Sequence, residues 1–336
     1  MATQRSREIR LVRRPTGRPV LDDFALVEGD VPALGEGEVL VRNDVMSVDP
    51  YMRGRMNDVK SYVPPFVLNE AMTGGAVGTV VESRDPRIAQ GAVVSHMLGF
   101  RDYAVARGAE VEVVDTSVAP ASAYLGILGV TGLTAWVGLF EIGALKEGET
   151  VFISGAAGAV GSVAGQLAKL RGAHAIGSAG TAAKVSYLVD TLHFDAAFDY
   201  HGDVREALRA AAPGGIELYF DNVGGEQLEA AIGALKPFGR IAACGMISQY
   251  NEQSPGPRNM PLVVGKRLRM QGFIVFDHMR SRKAFLEEVL SPYAAGTLVY
   301  PETFVDGLER APEALLSLFD SGDSHIGKLL VRLSAE

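Results

Sequence analysis

A single cysteine, Cys244, rules out an intrachain disulfide framework and any structural zinc site built from several thiolates, and it fits a reducing compartment. The N-terminal stretch "MATQRSREIRLVRRP" lacks an apolar core, so no secretory signal is expected and cytoplasmic residence is the default. Dense runs of Lys and Arg are missing as well. With 32 basic and 40 acidic side chains the net charge is −8, which argues against nucleic acid as a partner, because phosphate binding needs clustered cations. The one basic cluster, Arg5, Arg7, Arg10, Arg13 and Arg14, alternates with apolar residues and reads as a solvated strand face. The uncharged run from Thr116 to Phe140 is long enough to suggest a membrane span. However, Pro120, four glycines (Gly126, Gly129, Gly132, Gly138) and several hydroxyls dilute it, and a buried helix or helix pair is the better reading.

What is present is a change of grammar part-way along 336 residues, a length sufficient for two domains. Short strand signals separated by turns, "EVLVRNDVMSV", "GGAVGTVVES", "GAVVSHMLGFRDYAVAR" and "AEVEVVD", fill the first part and predict a mostly antiparallel β domain. Beyond the uncharged run, strands and helices alternate. The strands "TVFISG", "HAIGSAG", "AAFDY", "IELYFDNVGG" and "RIAACGMIS", with helical runs between them, predict a doubly wound parallel sheet covered on both faces. The tail reads as helix then strand and is expected to return to the first domain. The boundaries that follow are 1–123, 124–295 and 296–336.

The first of those alternating strands runs into "GAAGAVG", residues 155–161. A strand feeding a tight glycine turn that opens a helix aims backbone N–H groups at a pyrophosphate. Here Ala156 occupies the first glycine place of the six-position fingerprint, and Gly158 and Gly161 hold the second and third. Small residues also permit plain tight packing, so the turn alone decides little; the βαβ context favours a dinucleotide. NAD sites place an acid at the end of the second strand, whereas this chain has "AIGSAGTAAK". The missing acid, with Lys184 close by, favours NADP(H), although a solvent-facing helix lysine would look the same.

Eight segments then occur in order: "SVDPYMRGRM" (47–56), "GVTGLTAW" (129–136), "AAGAVGSVAGQLAK" (156–169), "HFDAAFDY" (193–200), "YFDNVGGE" (219–226), "GRIAACGMISQYN" (239–251), "MQGFIVFD" (270–277) and "GLERAPEALLSLF" (307–319). On these the chain resembles, over nearly its full length, the zinc-independent medium-chain reductases of the prostaglandin reductase and leukotriene B4 dehydrogenase group, which includes alkenal double-bond reductases and curcumin reductase. The resemblance implies a GroES-like mostly β catalytic domain, a Rossmann NADP-binding domain, a homodimer, and reduction of the C=C bond of a small enone or alkenal by NADPH. It implies cofactor contacts from Gly158, Ala159, Val160, Gly161, Lys184, Tyr200, Asn222, Cys244, Gly245, Met246, Ile247, Ser248, Tyr250, Phe273, Ile274 and Val275.

Two segments depart from the family pattern. "SGDSHIGK" places His325 where the family carries asparagine, leaving that cofactor contact open and the loop one residue longer, and "MNDVKSYVPPF" matches only through the distance of Tyr62 from "DPYMR". No Gly-His-Glu motif offers zinc ligands in the first domain, so hydrogen bonds must polarise the carbonyl. Tyr250, through a cofactor ribose hydroxyl, and Tyr62 are the candidate donors to the developing enolate; both could equally be packing residues. His96 lacks a partnered Ser or Cys motif and reads as structural, and Asp221 reads either as a residue at a strand end beside the expected cofactor or as a simple turn cap. A quinone oxidoreductase and a non-catalytic NADPH-binding sensor remain as alternatives.

Overall fold

The computed structural model describes residues 4–252, 255–320 and 325–333 and divides into two compact units. One comprises the described residues up to Leu125, Glu302–Asp320 and the chain from Leu329; the other comprises Gly126–Pro301 and the described residues up to Lys328.

In the first unit, β1 (Arg5–Leu11) and β2 (Phe24–Asp30) form an antiparallel hairpin. The basic cluster lies on and just after β1 and is largely paired: Arg7 with Asp102, Arg10 with Glu8 and Arg13 with Asp23. The larger sheet is built on β3 (Glu38–Ser47), followed by β4 (Ala76–Ser83), β5 (Val93–His96), β6 (Tyr103–Arg107) and β7 (Glu112–Val113). Every pairing of β3 to β7 recorded within it is antiparallel, and β3 is long enough to pair with both β4 and β6. Alternation along β3 sends Val39 and Val41 into a core with Val80, Val94 and Ala106.

His96 ends β5 in that unit, nearly fully buried at 6% exposure. Its Nδ1 accepts the N–H of Leu98 at 3.1 Å, which puts the neutral ring's proton on Nε2. Burial, helped by Arg101, lowers the imidazole to about 4. Because the unfolded chain binds this proton from pH 6.5 downward and the native state does not until about 4, the native state is favoured above 6.5 and loses stability as pH falls. The expected loss from His96 alone is about 2 kcal/mol by pH 5. Urea unfolding at pH 8 and pH 5 should show this extra loss in the wild type and not in His96→Gln; parallel losses would refute the assignment.

The second unit contains β8 (Thr150–Ile153), β9 (His174–Ala179), β10 (Ala196–Asp199), β11 (Ile216–Asp221), β12 (Leu235–Ala243) and β13 (Arg269–Gly272). Its six strands are all parallel, in the order β10-β9-β8-β11-β12-β13. This is a Rossmann doubly wound sheet. Alternate residues serve opposite faces: Phe152 and Tyr219 stack at 5.0 Å in a core with Leu208, Leu228 and Ile232, while Phe220 packs toward Gly138. Gly138 belongs to the formerly ambiguous uncharged run, which forms the helix Val130–Trp136 and a wider π turn, Val137–Ile142. No helix among the described residues is long and apolar enough to cross a membrane.

The sixth strand, β13, was not legible as a strand, because all four of its residues are exposed and it carries no apolar run. The chain closes with β14 (Glu302–Asp306) and β15 (Lys328–Arg332); β15 lies antiparallel to β3, with Leu330 opposite Ser47 and Val331 opposite Met46.

Candidate active site

The strand order of the second unit reverses between β8 and β11, and a crevice opens there at the carboxyl ends of the strands. Gly155, at φ 59°, turns the chain out of β8. Gly158 caps the helix Ala159–Leu170 in an extended conformation, with no side chain satisfying the helix start, so the first N–H groups face outward. A Cβ on Gly158 would meet only the Gly155 carbonyl, at 3.2 Å, and otherwise open space. Gly161 is different: its Cβ would lie 2.5 Å from the Gly155 oxygen and 2.7 Å from Ala156 Cα. Thus Gly161 lets the helix sit on the turn, and Gly158 leaves the backbone open to approach.

At the end of β9 no carboxylate stands between Gly177 and Lys184. Thr181 caps the next helix, Ala182–Ser186, by accepting the N–H of Lys184 at 3.3 Å. Tyr200, which follows β10, brings its hydroxyl so close to Gly180 that a Cβ there would sit 2.9 Å away. Burial, with the neighbouring Asp199 charge, raises the Tyr200 phenol and keeps it a proton donor. Tyr200 and the helix that carries Lys184 thus both lie beside the end of β9.

Across the crevice, two loops are tied together. Ser154 Oγ accepts the Asn222 N–H at 2.9 Å, and Asn222 Nδ2 donates to the Ser154 carbonyl at 2.7 Å. The buried Asp221 caps the turn, the second of its two sequence readings: its Oδ1 accepts the N–H groups of Val223 and Gly224 at 3.0 and 2.7 Å. Its backbone carbonyl accepts both Cys244 and Gly245, each at 2.9 Å. Farther along, Ile247 and Ser248 donate to the carbonyls of Asn222 and Val223, both at 3.2 Å. This lacing brings Asn222 and Cys244–Tyr250 together from β11 and β12.

A cavity of about 460 Å³ lies beside it, lined by Ala243, Cys244, Gly245, Met246, Gly272, Phe273, Ile274 and Asp277. Val275 is buried at the start of the following helical turn and does not line it. Tyr250 follows the turn Ile247–Gln249 and holds its hydroxyl beside Gly245, 3.4 Å from where a Cβ would be. Burial and the Asp221 carboxylate push the Cys244 thiol up to about 12, so it stays protonated and poorly nucleophilic. Asp221 itself is raised, first by burial, against the pull of its hydrogen bonds. Among the described residues no group of three or more His, Cys, Asp or Glu side chains is placed to hold a metal ion.

In the first unit Tyr62 is exposed, at 58%. It lies in the field of a pair that motif reasoning passed over, Tyr51 and Arg55, which are hydrogen-bonded to each other. Burial and Asp49 raise the Tyr51 phenol. Arg55 also fastens the irregular segment after it, donating to the Pro64 carbonyl at 2.9 Å and lying 4.0 Å over the Phe66 ring. The signal was the second arginine inside "DPYMRGRM", four residues past the tyrosine at the helix start. His325 is half-buried in the second unit; the extra loop residue expected just before it lies outside the described residues.

The profile described as "N-terminal domain of oxidoreductase" matches residues 7–114, and "Zinc-binding dehydrogenase" matches 159–291. A 2-alkenal reductase (NADP(+)-dependent) of Nicotiana tabacum is 42% identical, covering 98% of each chain. The chain belongs to the medium-chain dehydrogenase/reductase family, in its prostaglandin reductase and alkenal reductase group. An NADPH-dependent curcumin reductase of Escherichia coli K12 is 40% identical over 99% of this chain and 98% of its own. The crystal structure of CurA in complex with NADPH from Vibrio vulnificus superposes at a TM-score of 0.92 with 38% identity, covering 98% of this family member and 100% of that chain.

Proposed function

We propose that the protein is an NADPH-dependent reductase of the C=C bond of α,β-unsaturated aldehydes and ketones. The observation that carries this reading is the cavity walled by Cys244–Met246 and Phe273–Ile274, on the same crevice as the open Gly158 turn, with the Tyr250 hydroxyl at its edge. That full-length relatives act on alkenals and curcumin supports the substrate class.

The residues fit NADPH. Gly158–Gly161 would offer backbone N–H groups to the pyrophosphate, Lys184 and Tyr200 a cation and a donor to the 2′-phosphate, and Asn222 with Cys244–Tyr250, Phe273 and Ile274 would hold the nicotinamide half, with Val275 packed behind them. Bound NADPH supplies the hydride. Met246, Phe273 and Ile274 give the cavity an apolar lining, beside which a hydrogen bond to the oxygen where negative charge develops counts for more than in bulk water. Tyr250 would hold the cofactor ribose, which would supply a hydroxyl donor to that oxygen, and Tyr62 is offered as a second phenol donor. The α-carbon takes its proton from a tyrosine or from water. Carbonyl polarisation by hydrogen bonds rather than zinc is supported by the protonated, lone Cys244.

NADPH consumption measured across enones, alkenals and quinones tests the reading. We expect turnover of the first two classes, and a drop in kcat of about tenfold to a hundredfold in Tyr250→Phe. Turnover of quinones alone would favour a quinone oxidoreductase; tight NADPH binding with no turnover in any class would favour a sensor.

The same reading includes a homodimer, supported by β13 as an exposed end strand, with Met270 at 41%, and by Val264 at 79% nearby. Light scattering should give twice 35.7 kDa; a monomer mass refutes it. Cytoplasmic residence, supported by the lone thiol, is checked by cell fractionation.

A further inference from the structure

Asp221, at the end of β11, is wholly buried at 0% exposure, and it makes no ion pair among the described residues. Its Oδ2 has no hydrogen-bond partner. The donors reach only Oδ1: the Tyr219 hydroxyl at 2.8 Å, the N–H groups of Val223 and Gly224, and more distantly Ser154 Oγ at 3.4 Å. A buried oxygen without a partner costs stability, and so does a buried charge without a counter-ion. The N-terminus of the helix Gly225–Ala234, which starts just beyond Gly224, offsets part of that cost. Capping the turn does not require the charge, because asparagine and serine cap such turns too.

The carboxylate sits close behind the cavity wall. Its own backbone carbonyl accepts the N–H groups of Cys244 and Gly245, each at 2.9 Å, so the side chain lies within about 8 Å of both nitrogens. Its Oδ1 holds Gly224, and a Cβ on Gly224 would be 3.3 Å from Met246 Cβ. Cys244, Gly245 and Met246, successive lining residues, thus share one carboxylate behind them. Away from water, its field is weakly screened. Burial raises the carboxyl above its ordinary value yet leaves it ionised at pH 8.

We infer that Asp221 sets the balance between the two oxidation states of the bound nicotinamide, its carboxylate favouring the oxidised, positively charged ring over the neutral reduced one. The inference rests on the proposed NADPH site. When hydride leaves the ring for the β-carbon of the enone, two electrons go with it and the ring gains one positive charge. Asp221 touches neither cofactor nor substrate; its field stabilises that charge as it forms and favours hydride donation.

Separate calorimetric titrations of the full-length protein with NADP+ and with NADPH at pH 8 test this without turnover. Asp221→Asn keeps a cap and removes the charge. NADP+ should then bind about tenfold more weakly and NADPH within about twofold of the wild type, which raises the potential of the bound couple by about 30 mV. Should the asparagine variant not fold, Asp221→Ser, which caps through a hydroxyl, should give the same shift. Ser154→Ala removes the acceptor of the Asn222 N–H and no charge, so it should weaken both forms alike. Equal weakening of the two forms in Asp221→Asn, a selective loss of NADPH there, or a selective loss of NADP+ in Ser154→Ala would each overturn the inference. Failure of the wild type to bind either form would overturn the proposed function instead, a result distinct from all three.

Discussion

Replacing Gly161 with alanine should destabilise the protein by about 3 kcal/mol, whereas the same change at Gly158 should cost under about 1 kcal/mol. Both glycines belong to one turn, yet they do different jobs. At Gly161 the added methyl runs into backbone on two sides, the Gly155 oxygen at 2.5 Å and Ala156 Cα at 2.7 Å. Backbone cannot rotate aside as a side chain can, so the helix Ala159–Leu170 must lift from the turn that caps it. At Gly158 the backbone is extended, φ −80° and ψ 175°, a conformation alanine adopts freely, and the one near atom lies at 3.2 Å. The methyl there fills the approach left for a phosphate. Gly158→Ala should therefore melt near the wild type and bind NADPH about a hundredfold more weakly, through loss of two or more charge-assisted hydrogen bonds. Thermal melts and fluorescence titration with NADPH separate the two effects. Equal destabilisation by both changes would refute this division of labour.

Lys184→Ala should weaken NADPH binding about a hundredfold and leave NADH binding within about twofold. The helix that carries Lys184 is capped through its backbone N–H by Thr181, so truncating the side chain leaves the cap intact and the fold undisturbed. What is lost is the cation that the proposed function gives to the 2′-phosphate, at the end of β9, where no acid stands between Gly177 and Lys184. Competitive titration of both dinucleotides measures the ratio. A parallel weakening of NADPH and NADH would place Lys184 elsewhere than at the 2′-phosphate.

How much of this was legible in the sequence depends on the range over which each feature is determined. The Rossmann sheet was readable because a strand buried on both faces must be a nearly continuous apolar run, as in Val151–Ile153 and Ile216–Phe220. The end strand β13 has no such constraint and was invisible for that reason. Asp221 as a turn cap is a two-residue device, so "DNVGG" announced it. By contrast, the lacing of Asn222 to Ser154, and of Ile247 and Ser248 to the loop after β11, joins residues far apart in sequence. The resemblance implied the outcome, but spacing could not. Arg55, whose hold on Pro64, Phe66 and Tyr51 steadies the stretch after "DPYMR", acts over a short range, yet no spacing rule announced it. His325 was visible as a departure from the family pattern.

The central claim is conjugate reduction, and the destination of the hydride tests it most directly. NADPH deuterated at C4 of the nicotinamide, incubated with the protein and an α,β-unsaturated ketone, should give the saturated ketone with deuterium at the β-carbon by NMR. An allylic alcohol with deuterium at the carbinol carbon, or recovery of unchanged enone, would contradict it.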